Sequence, residues 1–425
     1  MKKSLARFII IWLGQLISNI GNGMTAFALG INVFQNSGSA IEFSFVLLCQ
    51  FLPAILFRPL GGVLADSFSR RTMIIIGDLG SALGVLFILF SLSGGELVLW
   101  KIYLGIAFSS AFVALQNPAY KAIVSDMVVS QDYARVSGLV QLASSAQHLL
   151  SPILAGILLT TGSLSLILYI DIASFFFAVI AVLVIGKAGK VKTATMRFWS
   201  DLWEGWKLLL EKKQVFFIVI IVSVVTFFVG IIQTLLTPML LTITSPKNVG
   251  LVQSISASGM LISSLLIGVI SFHVEMKRVL IISMFLAGIF MSLLGISTSL
   301  IFITVVFFLF FCTLPFINTG AEVIIRRSIV TEGQGRVWGI IGFLSQLGYL
   351  LAYLLSGWLA EKVFNPFMNA GGKLATSLRI LLGQGPGRGM GLMLILAGLS
   401  WIGLALSSRI KFSNEEKKGV ENVNL

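Results

Sequence analysis

The chain has 425 residues, 57% hydrophobic and 11% charged, with a mean hydropathy of +0.99, whereas a soluble domain is about 45–50% apolar and about 25% charged. This composition excludes a water-soluble globular protein. Its net charge of +13 does not indicate nucleic acid either, because Lys and Arg sit in short turns between apolar runs instead of on one polar face. Cys49 and Cys312 lie within apolar runs and no Cys or His cluster accompanies them, so no disulfide, metal or cofactor is expected.

Crossing the hydrocarbon core takes about 20 apolar residues. Dividing the chain at turn residues and charges predicts twelve spans: 8–34, 43–64, 73–93, 98–118, 134–159, 164–186, 214–241, 249–271, 279–297, 300–324, 337–361 and 388–408. The opening MKKSLARFIIIWLGQLISNIGNG reads as the first span and not as a signal peptide, since its apolar region is too long and no small-x-small site follows. With the N-terminus inside, 24 of the 30 Lys and Arg fall on the cytoplasmic side, the side such residues favour. Lys101, Lys247, Lys362, Lys373, Arg379 and Arg388 fall outside, and an even number of spans returns the C-terminus to the cytoplasm.

The connection from Lys187 to Lys213 carries seven basic residues and divides the spans six and six. In it Trp199, Trp203, Trp206 and Leu210 recur at helical spacing, with Asp201, Glu204 and Glu211 off that stripe, as in an amphipathic helix at headgroup level. A partner-binding helix has the same pattern. The predicted fold is an all-α membrane protein with 12 transmembrane helices in two pseudo-symmetric six-helix bundles. Its parts are an N-terminal bundle (1–186), a cytoplasmic linker (187–213), a C-terminal bundle (214–408) and a cytoplasmic tail (409–425).

Duplication is visible in the residues. NPAYKAIVSDMVVSQDYARVSGLV aligns without a gap to NTGAEVIIRRSIVTEGQGRVWGII, matching Asn117 to Asn318, Arg135 to Arg336 and Gly138 to Gly339, and Gly156 matches Gly357 at the same offset of 201 residues. Transporters are commonly built from such repeats, with the binding site between them.

The stretch GGVLADSFSRRT, Gly61 to Thr72, is a charged turn in a chain poor in charge. Asp66 lies at a helix C-terminus, where the macrodipole disfavours a carboxylate; compensation is available from Arg70, Arg71 or the start of the helix near Arg336. The last contact would act as a cytoplasmic gate, and Gly61 and Gly62 suit close helix approach. A topology signal in a short loop is the equal alternative. The later stretch GVISFHVEMKRVLII repeats Gly268, Lys277 and Arg278 but has Phe272 in place of the acid.

Gly62, Asp66, Arg70 and Arg71 resemble the G-x-x-x-D-R/K-x-G-R/K-R/K loop of the major facilitator superfamily, from which Ser67 and Ser69 depart. SPILAG, with Ser151, Pro152 and Gly156, resembles that superfamily's G-P-x-x-G-G antiporter motif, with Ser151 and Ala155 in place of two glycines. With RRTMIIIGDLG, RVSGLVQ and GQGPGRGMGL, the chain is similar to the macrolide-efflux and enterobactin-exporter branch of bacterial permeases. That resemblance implies export by proton antiport in a bacterial cytoplasmic membrane.

Ionisable residues inside spans are functional candidates. At about 1.5 Å per residue Arg58 is roughly 12 Å from its cytoplasmic helix end and Asp78 about 10 Å deep on the next helix; they are within reach of each other, as a structural lock or part of a proton relay. His148 titrates near neutrality when unperturbed and reads as a proton carrier or a local hydrogen-bonding group. Asp171 and Glu322 are further candidates, Glu322 standing four residues before Arg326. Gln15, Asn19, Asn22, Gln50, Gln233, Asn318 and Gln346 offer neutral hydrogen bonds to a central cavity. With 33 Phe in the chain, a large apolar cavity with few polar anchors suits a bulky amphipathic small molecule.

GQGPGRGMG has G-x-G spacing but neither a Walker lysine nor a preceding strand, so it reads as a turn before the last span. No nucleophile, base and orienting acid occur together, so no enzymatic activity is expected. The expected function is secondary active transport by alternating access: proton-coupled export of an amphipathic compound such as a macrolide-like drug or siderophore, by a monomer with both termini cytoplasmic. The alternatives are a proton-coupled importer of a nutrient or metabolite and a non-transporting membrane receptor or scaffold.

Overall fold

The computed structural model describes residues 2–93, 98–127, 133–184, 206–207, 210, 213–269, 275–328, 334–369 and 385–423. Among the described residues twelve long helices follow one another: α1 (Lys2–Ser37), α2 (Ala40–Ser67), α3 (Arg70–Ser93), α4 (Leu99–Met127), α5 (Tyr133–Thr161), α6 (Leu164–Val184), α7 (Lys213–Leu241), α8 (Pro246–Val269), α9 (Met276–Leu294), α10 (Leu300–Ser328), α11 (Gln334–Leu359) and α12 (Arg388–Val423). After α11 a π-helical turn, Ala360–Phe364, leads into a short segment, Asn365–Asn369. Several helices outrun their apolar cores; α12 continues as helix through Arg409 and Lys411. Among the described residues eleven helices are apolar and long enough to cross a bilayer. The twelfth, α1, has 36 residues, and Gln15, Asn19, Asn22 and Asn32 lower its hydropathy.

Local chemistry sets the helix ends. α1 stops at Gly38, whose φ of 66° carries no Cβ penalty in glycine, and the Gly38 N–H donates to Phe34 O at 2.7 Å. Ser39 then caps α2 by accepting from the Glu42 N–H at 3.3 Å. Gly387, at φ 84°, shapes the turn into α12 where the glycine-rich stretch predicts one.

The chain divides into two compact units, Met1–Met196 with Thr244–Ser254, and Arg197–Ile243 with Ile255–Leu425. In the first, α1 packs on α5 and α6, α4 on α2 and α3, and α3 on α6. In the second, α7 packs on α11 and α12, and α9 on α10 and α12. There α8 meets α10 through Gly259 against the Phe308 carbonyl and Ser256 Oγ donating to Thr304 O at 3.4 Å. The second set repeats the first with each helix number raised by six. The helix starts keep the same register: α10 begins 201 residues after α4.

Lipid tails are as apolar as the helices, so association depends on close packing and polar contacts. Glycines provide the first. A Cβ on Gly61 would come within 2.8 Å of the Leu115 carbonyl, one on Gly84 within 2.7 Å of Gly105 O, and one on Gly288 within 2.9 Å of Gly398 O. Hydroxyls provide the second: across α7 and α11, Ser223 Oγ donates to Leu344 O at 3.0 Å and Thr226 Oγ1 to Ser345 O at 2.5 Å. Of the expected interfacial helix, Trp206, Lys207 and Leu210 are described; Trp199, Asp201, Trp203, Glu204 and Glu211 lie outside the described residues. Trp206 lines a cavity of about 520 Å³ against α7 and α11, with Phe216, Phe227, Leu347, Leu351 and Leu355.

Candidate functional site

Asp78 sits eight residues into α3 and is 1% exposed. Its Oδ1 accepts from Gln116 Nε2 on α4 at 2.9 Å, and its Oδ2 from Gln15 Nε2 on α1 at 3.2 Å. Gly77 makes the first contact possible: a Cβ there would stand 2.5 Å from Gln116 Cβ. One turn on, the Ser81 and Ser109 hydroxyls lie 2.5 Å apart, continuing a buried polar seam between α3 and α4. The charge pair with Arg58 does not form. Arg58 belongs to the exposed stretch Leu56–Leu60, and α2 packs chiefly on α4, so amides from α1 and α4 occupy the place beside Asp78.

Asp171, on α6, is 0% exposed. It faces Gly21 of α1, where a Cβ would approach its Oδ1 to 2.8 Å. Ser174 Oγ donates to the Asp171 backbone carbonyl at 2.6 Å and leans on Oδ1 at 3.4 Å. The Thr25 hydroxyl stands beside the carboxyl, yet Thr25 Oγ1 and Asp171 Oδ2 are both sealed from solvent without a hydrogen-bond partner.

The antiporter-like segment forms a helix crossing. Ser151 Oγ donates to Ile20 O at 2.8 Å, tying α5 to α1. Gly156 meets Pro246 O at 2.8 Å from its Cβ position, and Gly250 lies against Pro152 O, so α5 and the first turns of α8 touch backbone to backbone. A Gly250→Leu variant is expected to part this crossing and cost about 1–3 kcal/mol, as overpacking does. Thermal melting of the purified protein checks it: Gly250→Leu should melt lower, while Gly403→Leu, at a position with nothing within 4 Å, should melt like the parent.

At the charged turn, Arg70 Nη1 donates to Ala122 O and Arg71 Nη2 to Leu183 O, each at 2.9 Å. The start of α3 is thereby tied to α4 and α6. The side chains of Gly62, Asp66 and Arg336 lie outside the described residues, and so does the gate contact.

The remaining candidates are dispersed. His148 is exposed on α5; Asn19, Asn22 and Gln50 are half-buried, as is Gln346 in the second unit. Asn318 and Glu322 are exposed one turn apart on α10. Gln233, exposed on α7, accepts the Tyr353 hydroxyl at 2.5 Å, and Tyr353 lies against Tyr349 with ring centroids 6.1 Å apart. Sequence reasoning missed Gln116, Thr25, Ser174 and Tyr353. Gln116 was legible as the neighbour of Asn117, and Thr25 as the next turn after Asn22.

Two helical units that repeat one packing pattern, the first of them burying carboxylates and amides inside membrane-spanning helices, have the construction of a membrane transporter. The chain belongs to the Major Facilitator Superfamily, whose family model matches residues 11–244. It is similar to macrolide efflux protein A of Streptococcus pyogenes, 27% identical over 371 residues that cover 84% of this chain and 90% of that protein. The Enterococcus faecalis protein of the same name is 28% identical over 324 residues, covering 73% of this chain and 98% of that one. In fold it is similar to the nucleoside transporter NupG, with a TM-score of 0.75 at 14% identity, covering 97% of this chain and 99% of that one.

Proposed function

We propose that this transporter exports a bulky amphipathic compound, of the macrolide or siderophore kind, in exchange for protons. It works by alternating access in a bacterial cytoplasmic membrane, with both termini cytoplasmic. The observation that carries the coupling is Asp78 held by two amides, Gln15 and Gln116. A charged carboxylate buried in a membrane helix is costly unless paired. An arginine partner would lock Asp78 in its ionised form, whereas a glutamine serves both forms, its NH₂ donating to the carboxylate and its carbonyl accepting from the acid. Loading and unloading a proton at Asp78 therefore needs only amide reorientation between α1, α3 and α4. The cargo class is supported by the macrolide efflux relatives.

Everted vesicles from cells expressing the protein test this reading with erythromycin as the probe. An imposed interior-acid gradient is expected to drive erythromycin into the vesicles, and a protonophore to release it. Accumulation equal to that in vesicles lacking the protein would remove the reading for macrolides.

A further inference from the structure

The first unit holds its second buried acid against the same helix that reaches Asp78. Asp171 is seven residues into α6 and Asp78 eight into α3, each roughly 10–12 Å from its helix start by the helical rise. α1 contacts both, through Gln15 at Asp78 and through Gly21 and Thr25 at Asp171. Gln15 and Gly21 are six residues apart, roughly 9 Å along α1, and Thr25 is one turn further. Between them, Gln15, Ser18, Asn22 and Thr25 recur at the three- and four-residue spacing that places them on one helix face. Gln15, Ser18 and Thr25 are buried, and Asn22 is half-buried.

No charged side chain among the described residues neutralises either acid. Arg70 and Arg71 donate to the α4 and α6 carbonyls, and Arg7, Arg58, Lys121, His148 and Tyr169 have exposed side chains. Lys101 lies over the Trp100 ring, Tyr103 donates to the Glu42 carbonyl, and Tyr120 is buried among Met73, Ile74 and Ile123. The Thr25 hydroxyl beside the carboxyl can donate to a carboxylate or accept from the acid, so it serves either protonation state. An ionised Asp171 would be a fully buried charge with no counter-ion, at a cost of several kcal/mol; taking up a proton removes that charge.

We propose that Asp171 is a second proton-binding site of this transporter, and that the polar face of α1 from Thr25 to Gln15 passes protons between Asp171 and Asp78. This rests on the proton-coupled reading above and adds to it a route: two buried acids joined along α1 inside the first unit. The aspartic acid at one end gives up its carboxyl proton and becomes a carboxylate, each hydroxyl or amide between takes a proton on oxygen as it releases one of its own, and the aspartate at the other end is protonated. The amides and hydroxyls between can each accept and donate, so the charge never needs a fixed cation.

Infrared spectroscopy of the full-length protein in liposomes, in H₂O and D₂O, tests the site without any cargo. The parent is expected to show deuterium-sensitive bands of protonated carboxyl groups, with one component missing in Asp171→Asn and present in Asp171→Glu. Survival of every component in Asp171→Asn would overturn the proposal. Erythromycin transport tests the route. Asp171→Asn and Thr25→Val are each expected to lower gradient-driven uptake by about tenfold, within the usual range of coupling between sites, while erythromycin counterflow without a gradient persists. Gradient-driven uptake at the parent's level in both variants, or uptake driven by sodium in place of protons, would overturn it. If the parent itself moves no erythromycin, the cargo reading fails and the infrared measurement still decides Asp171.

Discussion

Asp78→Asn is expected to abolish uptake driven by a proton gradient while leaving erythromycin counterflow close to the parent's. The substitution is nearly isosteric, and the new amide can still accept from Gln116 Nε2 and, with Gln15 reoriented, donate to its carbonyl, so the contacts joining α1, α3 and α4 survive. What it removes is the change of charge. A site fixed in one neutral state moves between conformations with bound cargo but has no proton affinity to link to cargo affinity, and linkage is what makes one gradient drive the other. Gradient-driven accumulation should fall by about tenfold or more, in the 5–150-fold range of such couplings, and the remaining exchange should lose its pH dependence. Asp78→Glu should recover part of the driven uptake. Driven uptake in Asp78→Asn equal to the parent's, with expression matched, would remove Asp78 from the coupling step and with it the proton-exchange reading built on it.

Most of the architecture was readable in the residues, because a bilayer imposes a length on every apolar run and leaves its charges in the turns. The duplication was legible for the same reason: an offset of 201 found in a few Asn, Arg and Gly positions reappears between the starts of α4 and α10. Helix ends were less legible, since a run stops being apolar where it leaves the lipid, not where it stops being helical, as α12 beyond Arg409 illustrates. The site was legible in its acids and not in their partners. Asp78 and Arg58 sit on consecutive helices, so sequence proximity suggested a pair; packing sets α3 against α4 and brings in Gln15, 63 residues away. Asp171 stood out as a charge in an apolar span, but its neighbour Thr25 is an ordinary hydroxyl on a helix far earlier in the chain; spacing puts Thr25 on the polar face of Asn22 without showing that Asp171 packs there.

Trp401→Ala is expected to be the most destabilising single change in the second unit. Trp401 on α12 is 0% exposed and joins three helices: it stacks on Phe228 of α7, centroids 5.2 Å apart and planes 12° from parallel, and meets Phe310 of α10 edge-on at 5.8 Å and 81°. Its indole N–H is buried without a hydrogen-bond partner, so the residue contributes through packing alone. Truncation to alanine opens a cavity among three helices. Loss of a buried Trp costs about 3–5 kcal/mol in soluble cores, and about 3 kcal/mol is expected here, because lipid-facing reference states reduce the part owed to transfer from water. Trp401→Phe keeps one ring in the stack and gives up a polar atom that satisfies nothing, so it should cost less than half as much. Thermal melting of the three purified proteins in one detergent orders them as parent, Phe, Ala. A Phe variant as unstable as the Ala variant would mean that the indole N–H has a partner after all, and that the junction of α7, α10 and α12 depends on a polar contact as well as on its rings.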